Sequence, residues 1–161
     1  MHVKVRDLGE VSSLLNLNIK RISDCCITLD QHLDIEKLLR EDNMLNCNGH
    51  FSPLNVDIHE VIKSGGRNAE KCDEATYRRA KGNLLYLANC TRPDLSYAVS
   101  FLGQFCSEPL QGHWLGVKHV LRYLKQTKDL CLTFSKEKKP LRSYYDSDFA
   151  KINLTEKAFQ D

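Results

Sequence analysis

Hydrophobic and polar positions alternate near the N-terminus. Val3 and Val5 are separated by Lys4, and Leu15, Leu17 and Ile19 are separated by Asn16 and Asn18. A period of two predicts strands. The polar stretch with Asp7 and Gly9 between them predicts a hairpin, or two neighbouring strands, over residues 3–22. Ile27 and Leu29 predict another short strand over 25–29. From Asp30 the period lengthens. Ile35, Leu38, Leu39 and Asp42 share one helical stripe, which predicts a helix over 31–42 with Asp30 as its N-cap.

Residues 43–75 break both periods. Asn46, Asn48, Gly49, Ser52, Pro53 and Asn55 are turn formers, and Ser64-Gly65-Gly66-Arg67-Asn68 follows. The stretch reads as a long loop, either a linker or a loop packed against a partner. Three helical patterns come next. Tyr77, Ala80, Leu84, Leu87 and Ala88 line one face of a helix over 76–89, where Gly82 is expected to allow close packing. Thr91-Arg92-Pro93-Asp94 starts a second helix, whose face carries Ala98, Phe101, Leu102 and Phe105. Trp114, Val117, Val120, Leu121 and Leu124 form the stripe of a third, over 112–126. Lys118, Arg122 and Lys125 fall on another face of that helix. Residues 130–134 and 141–146 predict strands joined by the basic turn Lys136-Glu137-Lys138-Lys139-Pro140. The expected fold class is α+β: a central helical bundle with short strands at both ends. Those end strands are expected to lack partners within the chain, which leaves exposed edges.

The chain has 161 residues, 42% of them hydrophobic and 27% charged, as in an ordinary globular chain of one domain or one domain and a stub. It has no uncharged apolar run of about 18 residues, so no membrane span is predicted. MHVKVRDLGE lacks the apolar core of a signal peptide, which points to the cytoplasm, with the nucleus also open. The seven cysteines are then expected as reduced thiols, with Cys90, Cys106 and Cys131 as small core residues. Cys47 and His50 have ligand-like spacing, and Cys72 follows. A zinc site needs about four N/S ligands in convergent pairs, so no metal site is predicted. Net charge is +2 but unevenly spread. Residues 78–142 hold 12 Lys and Arg against 4 acids, a net of +8. Such a segment suits either a polyanion or a solvated basic face.

Four blocks carry a resemblance. Tyr77-Arg78-Arg79-Ala80-Lys81-Gly82-Asn83-Leu84-Leu85-Tyr86-Leu87 leads into Thr91-Arg92-Pro93-Asp94 and Tyr97-Ala98-Val99. His113-Trp114 is followed by Val120-Leu121-Arg122-Tyr123-Leu124-Lys125-Gln126-Thr127. Asp7-Leu8-Gly9-Glu10 precedes Leu14-Leu15-Asn16-Leu17-Asn18-Ile19, and Tyr145-Asp146-Ser147-Asp148-Phe149-Ala150 closes the series. Ser52-Pro53-Leu54 adds a short fifth match. In this order they resemble the reverse transcriptase region of copia-type retrotransposon Pol polyproteins, across almost the whole chain.

The resemblance implies a division of the chain. Residues 1–75 correspond to the end of the palm, a primer-grip hairpin (Leu14, Leu15, Asn16, Leu17), the first thumb helix and a loop. Residues 76–142 correspond to thumb and connection helices and the basic turn. Residues 143–161 correspond to a truncated start of RNase H, with Asp146 as its first carboxylate. In the family, a Tyr-Val-Asp-Asp turn and RNase H carboxylates hold Mg²⁺. No such turn occurs here, so the resemblance implies a fragment without polymerase activity of its own, with Asp146 vestigial and no cofactor. RNA or DNA template–primer is the implied partner, with Lys118, Arg122 and Lys125 on its phosphates. Self-association or binding to missing polyprotein domains is also implied. The alternative is a retained non-catalytic module that binds nucleic acid or polymerase. Several residues depart from the pattern. Asn16 stands where the family has Gly, an exchange expected to disturb a tight turn. Lys81 replaces a small or apolar residue, Phe149 a Trp and Lys151 a Gly.

Overall fold

The computed structural model describes residues 6, 7, 9–64, 70–136, 140, 142 and 143. The expected strand at 3–5, the strand over 141–146 and the block around Asp146 lie outside the described residues. In chain order the elements are β1 (Ser13–Leu14), β2 (Leu17–Ser23), β3 (Cys26–Asp30), α1 (His32–Glu41), α2 (Val56–Lys63), α3 (Glu74–Cys90), a 3-10 turn (Pro93–Leu95), α4 (Ser96–Gly103), α5 (Gln111–Gln126) and β4 (Leu132–Ser135). The α+β class holds.

The strands form one antiparallel sheet in the order β1-β2-β3-β4. This corrects the expectation of orphan strands: Leu132 pairs with Leu29 and Phe134 with Ile27, so the strand after α5 joins the sheet begun before α1. The hairpin lies over 13–23, and Leu15 and Asn16, expected inside a strand, are its turn. Both have positive φ, 51° and 63°, as a two-residue hairpin turn requires. Asn16 therefore does not disturb the turn; asparagine tolerates the left-handed conformation and serves where the family has glycine.

Asp30 is not the cap of α1. That position is Gln31, and the Asp30 carboxylate instead accepts from Asn18 Nδ2 at 2.9 Å and contacts the His32 ring at 2.6 Å. Burial pushes this carboxyl up, but the bonds from His32 and Asn18 and the Lys20 charge outweigh it and hold it at about 2. Gln31, also buried, accepts from the Thr91 hydroxyl at 2.8 Å and so ties the sheet's exit to the end of α3.

The stretch 43–75 is not one loop. Asn55 caps α2 by accepting from Ile58 N, and Ile62 is fully buried against α5. Ile62 meets Gly116 there: a Cβ at Gly116 would lie 2.6 Å from its Cδ1. The expected stripes are buried as predicted: Ile35, Leu38 and Leu39 of α1; Tyr77, Ala80, Leu84, Leu87 and Ala88 of α3; Val117, Val120, Leu121 and Leu124 of α5. Phe101, Phe105 and Trp114 are half-buried and pack against them. The cysteines are not core residues as expected: Cys90 and Cys106 are half-buried and Cys131 is exposed.

Arg92 occupies the junction of α3, α4 and α5. Its side chain is 2% exposed and forks onto both Asp94 carboxylate oxygens, at 3.1 and 2.8 Å. The same guanidinium donates to the carbonyl and hydroxyl of Thr127, just past the end of α5. Tyr123 lies beneath it at 5.4 Å and donates its hydroxyl to Asp94.

Two expectations follow. A Cβ at Gly82 would meet nothing within 4 Å, contrary to the close packing expected there. Gly82→Ala should stabilise the fold by about 0.5–1 kcal/mol through helix propensity, whereas Gly116→Ala should destabilise it by about 1–3 kcal/mol through overpacking; urea unfolding of the two variants checks the opposite signs. Arg92→Met leaves Asp94 without its cation and should cost about 3 kcal/mol, read from the same denaturation curves.

Candidate nucleic-acid interface

The basic residues singled out on α5 are half-buried, and each has a contact within the chain. Arg122 Nε donates to the Asn48 carbonyl at 2.8 Å, and Lys125 Nζ donates to the Cys47 carbonyl. Lys118 lies over the Trp114 ring at 6.0 Å. The backbone closes the same contact, since His50 N donates to the Arg122 carbonyl at 3.2 Å. At Gly49, a Cβ would come within 2.2 Å of Gln126 Oε1. Arg122, Lys125 and His50 therefore latch the segment 47–50 onto α5. Among the described residues Arg122 and Lys125 each spend one side-chain donor here, of the five and three they carry.

A histidine pair extends the latch. His50 and His119 have ring centroids 4.2 Å apart, and His119 Nε2 lies 3.2 Å from the Ser52 carbonyl. Burial pushes His119 below the ordinary histidine value, and the nearby His50 and Arg122 push the same way against the Ser52 bond. His113, the first residue of the His-Trp block, accepts from Leu110 N at 2.9 Å and caps the start of α5 while stacking on Phe105. Burial lowers its pKa too.

The hairpin tip occupies a different place. Leu14 and Leu15 are exposed, Leu17 is half-buried, and Tyr86 of α3 donates its hydroxyl to the Leu15 carbonyl. Asn16 lines a cavity of about 300 Å³ with Lys37 and Glu41 of α1 and Arg79 and Asn83 of α3. The tip thus rests on α3 and α1, while Arg122 and Lys125 hold the 47–50 segment. The structure does not merge the two predicted sets into one site. Asp146 lies outside the described residues.

Part of the charge of the +8 segment is met by carboxylates of the chain. Arg78 pairs with Glu74, Arg79 with Glu41 and Asp42, and Lys128 with Glu36. Among the described residues no group of three or more His, Cys, Asp or Glu could hold a metal ion. Among them, too, no helix is long and apolar enough to cross a membrane. Sequence reasoning missed α2, although Asn55 followed by Ile58 and Ile62 carried its signal. It also missed the latch, for which no local signal exists.

No protein-family model matches the sequence, and no solved structure matches it. Curated relatives do. The chain is 33% identical over 150 residues, 91% of its length, to the retrovirus-related Pol polyprotein from transposon TNT 1-94 of Nicotiana tabacum. It is 33% identical over 92% of its length to a putative transposon Ty5-1 protein of Saccharomyces cerevisiae. This chain is homologous to a stretch of transposon Pol polyproteins. The chain is also 32% identical over 96% of its length to an uncharacterized mitochondrial protein of Arabidopsis thaliana. It spans 11%, 48% and 62% of these three relatives.

The lowered histidines set a pH dependence. The unfolded chain takes up protons as pH falls through about 6.5, before His119 and His113 do so in the fold. Their contribution is present above that pH and is lost as pH falls toward the lowered folded values. Urea midpoints of the protein should drop between pH 7.5 and 5, and His119→Gln should flatten that drop. A profile in the variant as steep as in the parent would show that His119 does not carry it.

Proposed function

We propose that the chain is the portion of a copia-type reverse transcriptase that follows the catalytic palm and runs toward RNase H, and that it holds nucleic acid without performing the chemistry. One observation carries this reading: the match to Pol polyproteins runs through 91% of the chain. The geometry supports it. The Thr-Arg-Pro-Asp block and the Tyr-Leu-Lys-Gln-Thr end of α5 close on each other through Arg92, Asp94, Tyr123 and Thr127. Two motifs distant in sequence thereby form one rigid support for the helices that would face a duplex.

In this role, Leu14, Leu15, Asn16 and Leu17 act as a primer-grip-like tip, and Lys118, Arg122 and Lys125 supply phosphate contacts from donors left unused by the latch. Template–primer is the partner. The Tyr-Val-Asp-Asp turn does not occur in the sequence, so polymerisation is assigned to other parts of Pol. The contacts are electrostatic and sequence-blind.

Fluorescence anisotropy with a labelled RNA–DNA primer–template, across a KCl series, tests the proposal. About two to three phosphate contacts predict a log–log slope of about −2 to −3. No binding at low salt, or a flat salt response, would overturn it.

A further inference from the structure

The segment 43–55 joins α1 to α2 without a helix or strand of its own. Met44 near its start and Leu54 near its end pack against the helical core. Residues 47–52 between them contribute nothing to that core, and Phe51 is 85% exposed. Their hold on α5 is polar. It consists of the Arg122 and Lys125 bonds to the Asn48 and Cys47 carbonyls, the His50 N bond to the Arg122 carbonyl, and the two histidines. A segment held in this way can part from the fold while the core stays closed.

The geometry suits a neutral histidine pair. Ser52 N donates to His50 Nδ1 at 3.2 Å, which requires a lone pair on that nitrogen. The Ser52 carbonyl lies 3.2 Å from His119 Nε2, which serves it as a donor. A proton on His50 Nδ1 turns that nitrogen into a donor. Ser52 N then loses its acceptor, and the Ser52 carbonyl, also 3.2 Å from Nδ1, is left to both rings. A proton on His119 places a cation at a position only 7% exposed, with the His50 ring centroid 4.2 Å away. The titratable and charged groups acting on His119 are His50 from the segment and Arg122 from α5; no carboxylate of α1 or α2 is among them. Both oppose its protonation, and burial works in the same direction. Away from α5, each imidazole meets water and takes up its proton at about pH 6.5. Acid therefore favours the open segment.

We infer that the segment 47–52 is an acid-released latch: closed on α5 at neutral pH, it leaves α5 when His50 and His119 both become charged, while the buried stripes of α1, α3 and α5 stay packed. Release frees the Arg122 and Lys125 side chains from the Asn48 and Cys47 carbonyls in the same step. The latch is independent of the nucleic-acid-holding role proposed above.

Amide hydrogen–deuterium exchange of the full chain, read by mass spectrometry at pH 7.5 and about 5.5, tests the latch, with labelling times scaled to the intrinsic exchange rate at each pH. The reporting amides are His50 N and Ser52 N, bonded to Arg122 and His50. Peptides over 47–52 should lose protection about tenfold at the lower pH, while peptides over 77–88 in α3 keep theirs. The double variant His50→Gln, His119→Gln has no proton to take up there and should show equal protection at both pH values. His50→Gln alone, at the half-buried partner, should show a smaller response than the parent, and His59→Gln on α2 should keep the parent's response. Circular dichroism confirms that each variant is folded. Four results overturn the latch. The parent's 47–52 peptides keep their protection at the lower pH; the α3 peptides lose protection in parallel, which makes the change one of global unfolding; the double variant responds as steeply as the parent; or His59→Gln abolishes the response, which places the titration elsewhere. If the double variant does not fold, His50→Gln decides alone, and a response as steep as the parent's overturns the latch.

Discussion

A single buried guanidinium holds the helical part of this protein together. Arg92 is out of water, so its charge and its donors must be met inside the fold. Asp94 meets the charge, Thr127 meets two donors, and the Tyr123 ring lies against the cation. Thr127 follows the last turn of α5, where backbone carbonyls lack helical partners, so the same contact finishes that helix. Lysine could not replace it, because only a planar fork reaches a carboxylate and a helix end together. Thr91, one residue earlier, bonds Gln31 and brings the sheet into the same junction. From α1 through α5, the packing is referred to this one corner.

The consequence for function lies in how charge is used. A segment at +8 suggests a surface for a polyanion, yet Arg78, Arg79, Arg92 and Lys128 are paired with carboxylates, and Arg122 and Lys125 grip backbone carbonyls. Charge counted along a sequence therefore overstates what a partner can feel. Position and neighbours, rather than the total, decide which cation is available.

β3 and β4, far apart along the chain, are paired for a similar reason of satisfaction. β3 alone would expose a row of backbone donors and acceptors on each side. β2 fills one side through a turn that Leu15 and Asn16 make at positive φ, and β4 returns from α5 to fill the other. The sheet then places Ile19, Leu29 and Leu132 on one face and Asn18, Asp30 and Thr133 on the other. Asp30, buried at the sheet's exit, keeps its charge because His32, Asn18 and Lys20 surround it.

What the sequence alone determined was periodic and local. The stripes of α1, α3 and α5 were legible because an apolar residue every third or fourth position can be buried on one face only. The motif blocks were legible because their residues are contiguous, and the relatedness to transposon Pol polyproteins followed from them. The tertiary structure decided everything that needs two distant segments. It paired β4 with β3, packed Ile62 of α2 against Gly116, and turned Arg122 and Lys125 onto the 47–50 segment. Hydrogen bonds and ion pairs are set by separations in space of about 3 Å, and no spacing along the chain encodes which distant carbonyl or carboxylate will arrive there.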